Sequence, residues 1–255
     1  MIEKVTCIVQ ARMDSQRLPG KVLLPLGKKT VIEHVFYQLG FSKTISQCIL
    51  ATTQESSDDV LFSWARTNGI PVFRGKENDV LDRYYQAAKM FNATAIVRIT
   101  ADCPFIDPTI LDEVVVEFHS GKYDYATNSM PPTFPNGIDV EVFSFLALER
   151  AWSNAMLSSE REHVTPYIRN HPELFQIANV ASQKNLEHFR WTLDNQEDYQ
   201  LLSIIAERLP EDLKYISMQD ILKVFEVDNS LVNINKHIQR NEGYRKSLRD
   251  DQRIL

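Results

Sequence analysis

What most constrains this chain is the regular alternation, through its first half, of short apolar runs and amphipathic stretches. Residues 5–9 (Val-Thr-Cys-Ile-Val) are β-rich and apolar, and residues 31–39 carry helical spacing. Residues 48–53 read as strand and 58–68 as helix, with Ser56 and Ser57 as candidate N-caps. Residues 71–73 give a brief strand, and residues 80–91 a helix that Asp79 is placed to cap. Residues 95–99 form another strand, and Pro108 opens a helix running to about His119. Strands alternating with helices of this length mean βαβ units. The expected fold is therefore α/β, a Rossmann-like, mostly parallel sheet flanked by helices.

From about Ser129 the rhythm breaks, and residues 130–137 hold three of the chain's 11 prolines. Beyond them come an alternating strand at 138–143 and helices at 145–155 and 160–169. Strand candidates at 175–180 and 189–193 follow, then helical patterns at 196–209, 218–225 and 236–248. The organisation reads as one domain over 1–255, with an irregular inserted segment at about 129–187.

At 255 residues and 44% hydrophobic content the chain can bury a sizeable core. Its net charge of −6 argues against coating nucleic acid or an anionic membrane, but leaves room for a local cationic site for a small anion. The N-terminal residues lack a signal-peptide pattern, and no apolar run approaches the ~18 residues of a membrane span, so a cytoplasmic protein is expected. Cys7, Cys48 and Cys103 are far apart without CxxC spacing, which predicts buried free thiols rather than zinc or disulfides.

Ligands of open parallel sheets bind beyond the carboxyl ends of strands. After the first strand lies Gln10-Ala11-Arg12-Met13-Asp14-Ser15-Gln16-Arg17-Leu18-Pro19-Gly20-Lys21. It satisfies neither GxxxxGK[ST] nor GxGxxG, yet Arg12, Arg17 and Lys21 together suit a polyphosphate; the alternative is a basic surface turn. Asp102 and Asp194 each follow a strand and would either share a hard cation or, for Asp194, cap a helix. Arg74-Gly75 and Asp79 follow a short strand where backbone can approach a base or ribose. Asp139 and Glu141 share one face of an alternating strand and either bind hydroxyls or face water. A metal role for His163 is not supported, because HExxH is missing.

Ala11-Arg12, Ser15 and Arg17-Leu18-Pro19-Gly20-Lys21 resemble the opening motif of the cytidylyltransferases that activate acidic sugars, the CMP-Kdo and CMP-sialic acid synthetases. The chain is more similar still to the spore coat polysaccharide biosynthesis protein F family. That resemblance runs through Phe73-Arg74-Gly75, Asp79-Val80-Leu81-Asp82-Arg83-Tyr84-Tyr85, Gly137-Ile138-Asp139-Val140-Glu141, Arg161-Glu162-His163-Val164-Thr165 and Asn241-Glu242-Gly243-Tyr244. It implies a GT-A-like nucleotide-diphospho-sugar transferase fold and a Mg²⁺-dependent transfer from CTP to a small, acidic sugar. The products would be a CMP-sugar, for surface or spore coat polysaccharide, and pyrophosphate. On this resemblance Ala11, Arg12, Ser15 and Lys21 bind the nucleotide, with Arg12, Arg17 and Lys21 as the catalytic cations. Asp102 and Asp194 hold the metal, Arg74 and Asp79 read base and ribose, and Asp139 and Glu141 face the sugar. A homodimer is implied, with 129–187 as acceptor or dimer element. The chain departs from the sugar-acid enzymes at Gln10, where they carry proline, and at residues 100–104, which lack their Gln-Gly and glutamate. A glycosyltransferase consuming a nucleotide sugar and a non-catalytic nucleotide-sugar-binding protein remain the competing readings.

Overall fold

In the computed structural model, which describes residues 5–254, the first half of the chain keeps the expected rhythm. β1 (Val5–Gln10) leads into a two-residue hairpin, β2 (Pro25–Leu26) and β3 (Lys29–Thr30), then α1 (Val31–Leu39), β4 (Ile45–Thr53) and α2 (Asp59–Thr67). β5 (Val72–Gly75), α3 (Val80–Met90), β6 (Ala95–Thr100) and α4 (Pro108–Ser120) complete the run. The second half supplies β7 (Tyr125–Thr127), β8 (Glu141–Ser144), α5 (Phe145–Asn154), α6 (Ser158–His163), α7 (Pro166–Asn170) and β9 (Ile177–Asn179). It ends with α8 (Gln196–Arg208), α9 (Met218–Val227) and α10 (Glu242–Arg249).

Seven strands form one sheet in the order β5-β4-β1-β6-β8-β7-β9. β8 is antiparallel to β6 and β7, and every other neighbouring pair is parallel. The mostly parallel, helix-flanked sheet read from the sequence is therefore the architecture found. β1 sits between β4 and β6, with Val9 opposite Leu50 and Ile99. Its side chains alternate: Val5, Cys7 and Val9 pack with α1, α4, α8 and α9, while Ile8 packs with α3 and α5 on the other face. Both faces are covered, which is why the strand reads as an unbroken apolar run. Caps fall where short polar residues precede the helices. Asp79 accepts from the Asp82 N–H at 2.9 Å, and Asp107 accepts from Thr109 N at 2.8 Å ahead of Pro108.

Several second-half expectations change. The helix expected at 160–169 is two, α6 and α7: Val164 turns through φ 72° and Pro166, lacking an N–H, opens the second. The strand expected at 138–143 pairs only from Glu141, and that at 189–193 is extended chain with a single bridge, Asn136 to Arg190. The helix expected at 236–248 begins only at Glu242. Ser56 and Ser57 lie inside a 3-10 turn instead of capping α2, while the Asp58 carboxylate accepts from Thr52 Oγ1 (2.8 Å), Thr53 N (3.0 Å) and Met13 N (2.7 Å). Asp58 thus ties the end of β4 to the loop after β1.

Candidate active site

The loop after β1 folds back on itself. Gly20, at φ 70°, donates its N–H to Met13 O at 2.8 Å, a conformation open to glycine at little steric cost. This turn delivers Lys21 into the protein, where its ammonium donates to Asp102 Oδ2 (2.6 Å), Leu193 O (2.7 Å) and Asp194 Oδ1 (2.9 Å). All three donors of the ammonium are used. Asp102 and Asp194 are brought together by backbone: Leu193 N donates to Asp102 O at 2.8 Å, joining the turn after β6 to the segment before α8. Thr100 Oγ1 steadies the other oxygen of Asp102 at 2.6 Å.

Asp194 carries two further cations, Arg17 Nη2 at 2.8 Å and Arg190 Nη2 at 3.0 Å. Arg190 is itself fixed by Asp198, which is fully buried and also accepts from Asn235 at 2.8 Å. Burial alone would raise the Asp194 pKa, but Lys21, Arg17 and Arg190 outweigh it and hold the carboxyl well below the usual range. Burial likewise opposes the charge on Lys21, and the two aspartates overcome it and raise its pKa. The cap that the sequence offered as Asp194's alternative role belongs to its neighbour: Asn195 is the N-cap of α8, and its N–H donates to Asp198 at 3.0 Å.

These groups open into a cavity of about 600 Å³ at the carboxyl ends of β1 and β6. Nine lysine and arginine residues line it against seven carboxylates, so its walls are cationic in a chain of net −6. Ala11, Arg12, Ser15, Arg17, Lys21, Asp102, Asp139, Glu141 and Asp194 all contribute to the lining. Arg74 and Asp79 do not, and each is engaged elsewhere. Arg74 donates to Thr53 O (2.7 Å), Glu55 O (2.9 Å) and Asp59 (2.7 Å), clamping the loop after β4. Asp79 caps α3 and takes Arg161 through both carboxylate oxygens, at 3.0 and 2.5 Å. Both serve here as structural ties outside the cavity lining. Glu141 faces the cavity but is saturated by Arg98, Tyr125 OH (2.6 Å) and Thr165 Oγ1 (2.5 Å). Against burial, Arg98 and Arg169 bring its pKa down to about 2. Asp139 pairs with Arg240.

Sequence reasoning missed Arg83, Arg98, Arg169 and Arg190, all in the lining, and missed the cavity wall built by residues 241–250. In that wall Glu242 accepts from Arg17 at 2.8 Å, and Ser247 meets Glu162 at 2.7 Å and His163 at 3.0 Å. An arginine inside the apolar run Phe189-Arg190-Trp191 was the available signal for one of them.

Among the described residues no three His, Cys, Asp or Glu side chains cluster as a metal cage. The donor set nevertheless fits a hard cation that takes one or two carboxylates and completes its shell with phosphate and water. Asp102 and Asp194 present hard oxygens, are about one-fifth exposed (21% and 23%), and already share one cation, the Lys21 ammonium.

Residues 6–237 match the cytidylyltransferase family. An uncharacterised protein of Methanocaldococcus jannaschii is 36% identical over 95% of this chain and 98% of its own length. The spore coat polysaccharide biosynthesis protein SpsF of Bacillus subtilis is 34% identical over 80% of this chain and 87% of its own. Among solved structures, a cytidylyltransferase from Leptospira borgpetersenii serovar Hardjo-bovis superposes with a TM-score of 0.85 at 37% identity, covering 90% of this chain and 97% of that one. No helix among the described residues is long and apolar enough to cross a membrane.

Proposed function

Because the chain belongs to the cytidylyltransferase family, we propose that it couples CTP to a hydroxyl of an acidic sugar, with Mg²⁺, giving a CMP-sugar and pyrophosphate for a surface polysaccharide. The chain is a nucleotidyltransferase. The observation that carries the finer reading is the Lys21 node, where the cationic loop after β1 meets the carboxylates of Asp102 and Asp194 at one cavity.

In this reading Arg12, Arg17 and Lys21 neutralise the triphosphate, and Ala11 and Ser15 line its path. Asp102 and Asp194 would hold Mg²⁺, which when bound screens the phosphate oxygens and sharpens the α-phosphorus as an electrophile. The sugar hydroxyl oxygen forms its bond to that phosphorus and gives up its proton to solvent, as the bond to the bridging oxygen breaks and pyrophosphate leaves. No covalent enzyme intermediate is needed, and this chain's residues contribute by positioning and by fixed positive charge where charge accumulates. The inserted segment supplies the acceptor end: Asp139 and Glu141 act there by holding Arg240 and Arg98 in place, and those cations together with Arg169 suit a sugar carboxylate.

Pyrophosphate release with CTP, Mg²⁺ and a panel of acidic sugars tests the reading. We expect turnover with at least one acidic sugar, and a loss of about a hundredfold or more in Asp102→Asn/Asp194→Asn. Undiminished turnover by that folded double variant would refute the assigned site.

A further inference from the structure

Arg83, on the first turn of α3, is 2% exposed and lines the cavity, yet among the described residues its guanidinium makes no hydrogen bond or ion pair. Its Nε and Nη1 are sealed from solvent without an acceptor. The neighbouring arginines differ. Arg74 holds three acceptors, Arg161 is clamped on Asp79, and Arg190 is shared by Asp194 and Asp198. A buried donor without a partner costs on the order of 1–3 kcal/mol, which an acceptor on a ligand in the cavity would recover. Burial depresses the pKa of Arg83 and the nearby Arg12 adds to the effect, against the opposing pull of Tyr84, Asp58 and Glu77. A second unmet group lies in the same cavity: Oε1 of Gln10, the last residue of β1, is buried and accepts from nothing.

We propose that Arg83, with Gln10, reads the nucleobase of the bound nucleotide. The guanidinium donates to the in-plane acceptors of cytosine, O2 and N3, while Gln10 Oε1 accepts from the exocyclic amine. Val80, one turn earlier on α3 and also in the lining, offers the flat base an apolar contact. A phosphate presents acceptors alone and would leave Gln10 unmet, whereas the cytosine edge carries both complements. Uracil carries a donor at N3 and a carbonyl at position 4, and so opposes both groups. These residues take over the base contact that Arg74 and Asp79, consumed by structural ties, do not make. The inference rests on the CTP reading of the site.

Calorimetric titration of wild type, Arg83→Met and Arg83→Lys with CTP, UTP and inorganic tripolyphosphate, all with Mg²⁺, separates base from phosphate. CTP binding is expected to weaken about ten- to hundredfold in Arg83→Met, with tripolyphosphate affected less than about twofold. Arg83→Lys keeps the charge without the planar fork, and should lose most of the preference for CTP over UTP even if Arg83→Met does not fold. Ligand-free Arg83→Met should melt no lower than wild type, because the residue removed is an unpaired buried cation; a merely structural arginine would lower the melting temperature. Equal weakening toward CTP and tripolyphosphate, or an unchanged CTP preference in a folded variant, overturns the proposal. Failure of the wild type to bind CTP overturns the functional reading and this inference with it.

Discussion

Lys21→Met isolates the ionic node on which the site is built. Removing one partner of a buried ion pair typically costs about 3–5 kcal/mol, because the survivor is stranded. Here the survivors keep other partners: Arg17 and Arg190 still hold Asp194, Thr100 still holds Asp102, and both carboxylates are about one-fifth exposed (21% and 23%). We therefore expect a loss of about 2–3 kcal/mol, which in a chain of this size lowers the melting temperature by roughly 4–12 °C. Millimolar Mg²⁺ without nucleotide should restore part of the loss in the variant and change the wild type little, since in the wild type an ammonium already serves both aspartates. The pH dependence has a fixed sign. Asp194 has a depressed folded pKa, so its contribution is complete above the unfolded carboxylate value of about 4 and is lost as pH falls below it. The gap between wild type and variant is thus widest near neutrality and closes in acid. Thermal melts at pH 7 and pH 3, with and without Mg²⁺, measure all of this. Equal melting temperatures at pH 7, or a gap as large at pH 3, would refute the reasoning.

Gly137→Ala should lower stability by about 2–4 kcal/mol, read as a reduced urea midpoint with unchanged slope. Gly137 adopts φ 108°, and a Cβ there would meet the carbonyl carbon of Trp191 at 2.6 Å, so an unaltered midpoint would contradict the packing described. Burial pushes the His163 pKa down to about 4, despite Glu162. His163 is neutral when folded, so stability falls as pH drops from about 6.5 toward 4, where the unfolded chain takes up the proton first. His163→Gln should flatten that slope in melts across the interval, and an identical slope would count against it.

The sheet was legible because strand and helix patterns alternate while β1 and its neighbours are buried on both faces, leaving apolar runs that only such a sheet needs. Lys21 and the two aspartates were legible as types at strand ends, but their meeting depends on the backbone bond from Leu193 to Asp102, which leaves no local trace. Arg74 and Asp79 show the converse, since the structure places them in ties outside the cavity lining. Their place at the end of β5 and just beyond it is real, but capping and loop clamping use the same residue types as ligand binding. Arg190, Asp198 and Asn235 escaped notice because a buried polar triad spanning 45 residues carries no periodicity. The split between α6 and α7 hinged on Pro166, visible in the sequence and outweighed by the helical spacing on either side.

The bonds of Lys21 also bear on how the chain folds. They span 81 positions to Asp102 and 173 to Asp194, so the node closes two long loops at one atom. Contacts of such sequence separation form late, after the entropy of loop closure has been met by the rest of the sheet. On the proposed reading, a partly folded chain therefore has no polyphosphate site, however much local structure it holds. A nucleotide that binds here recognises the completed fold alone, and by mass action draws the last folding steps toward it.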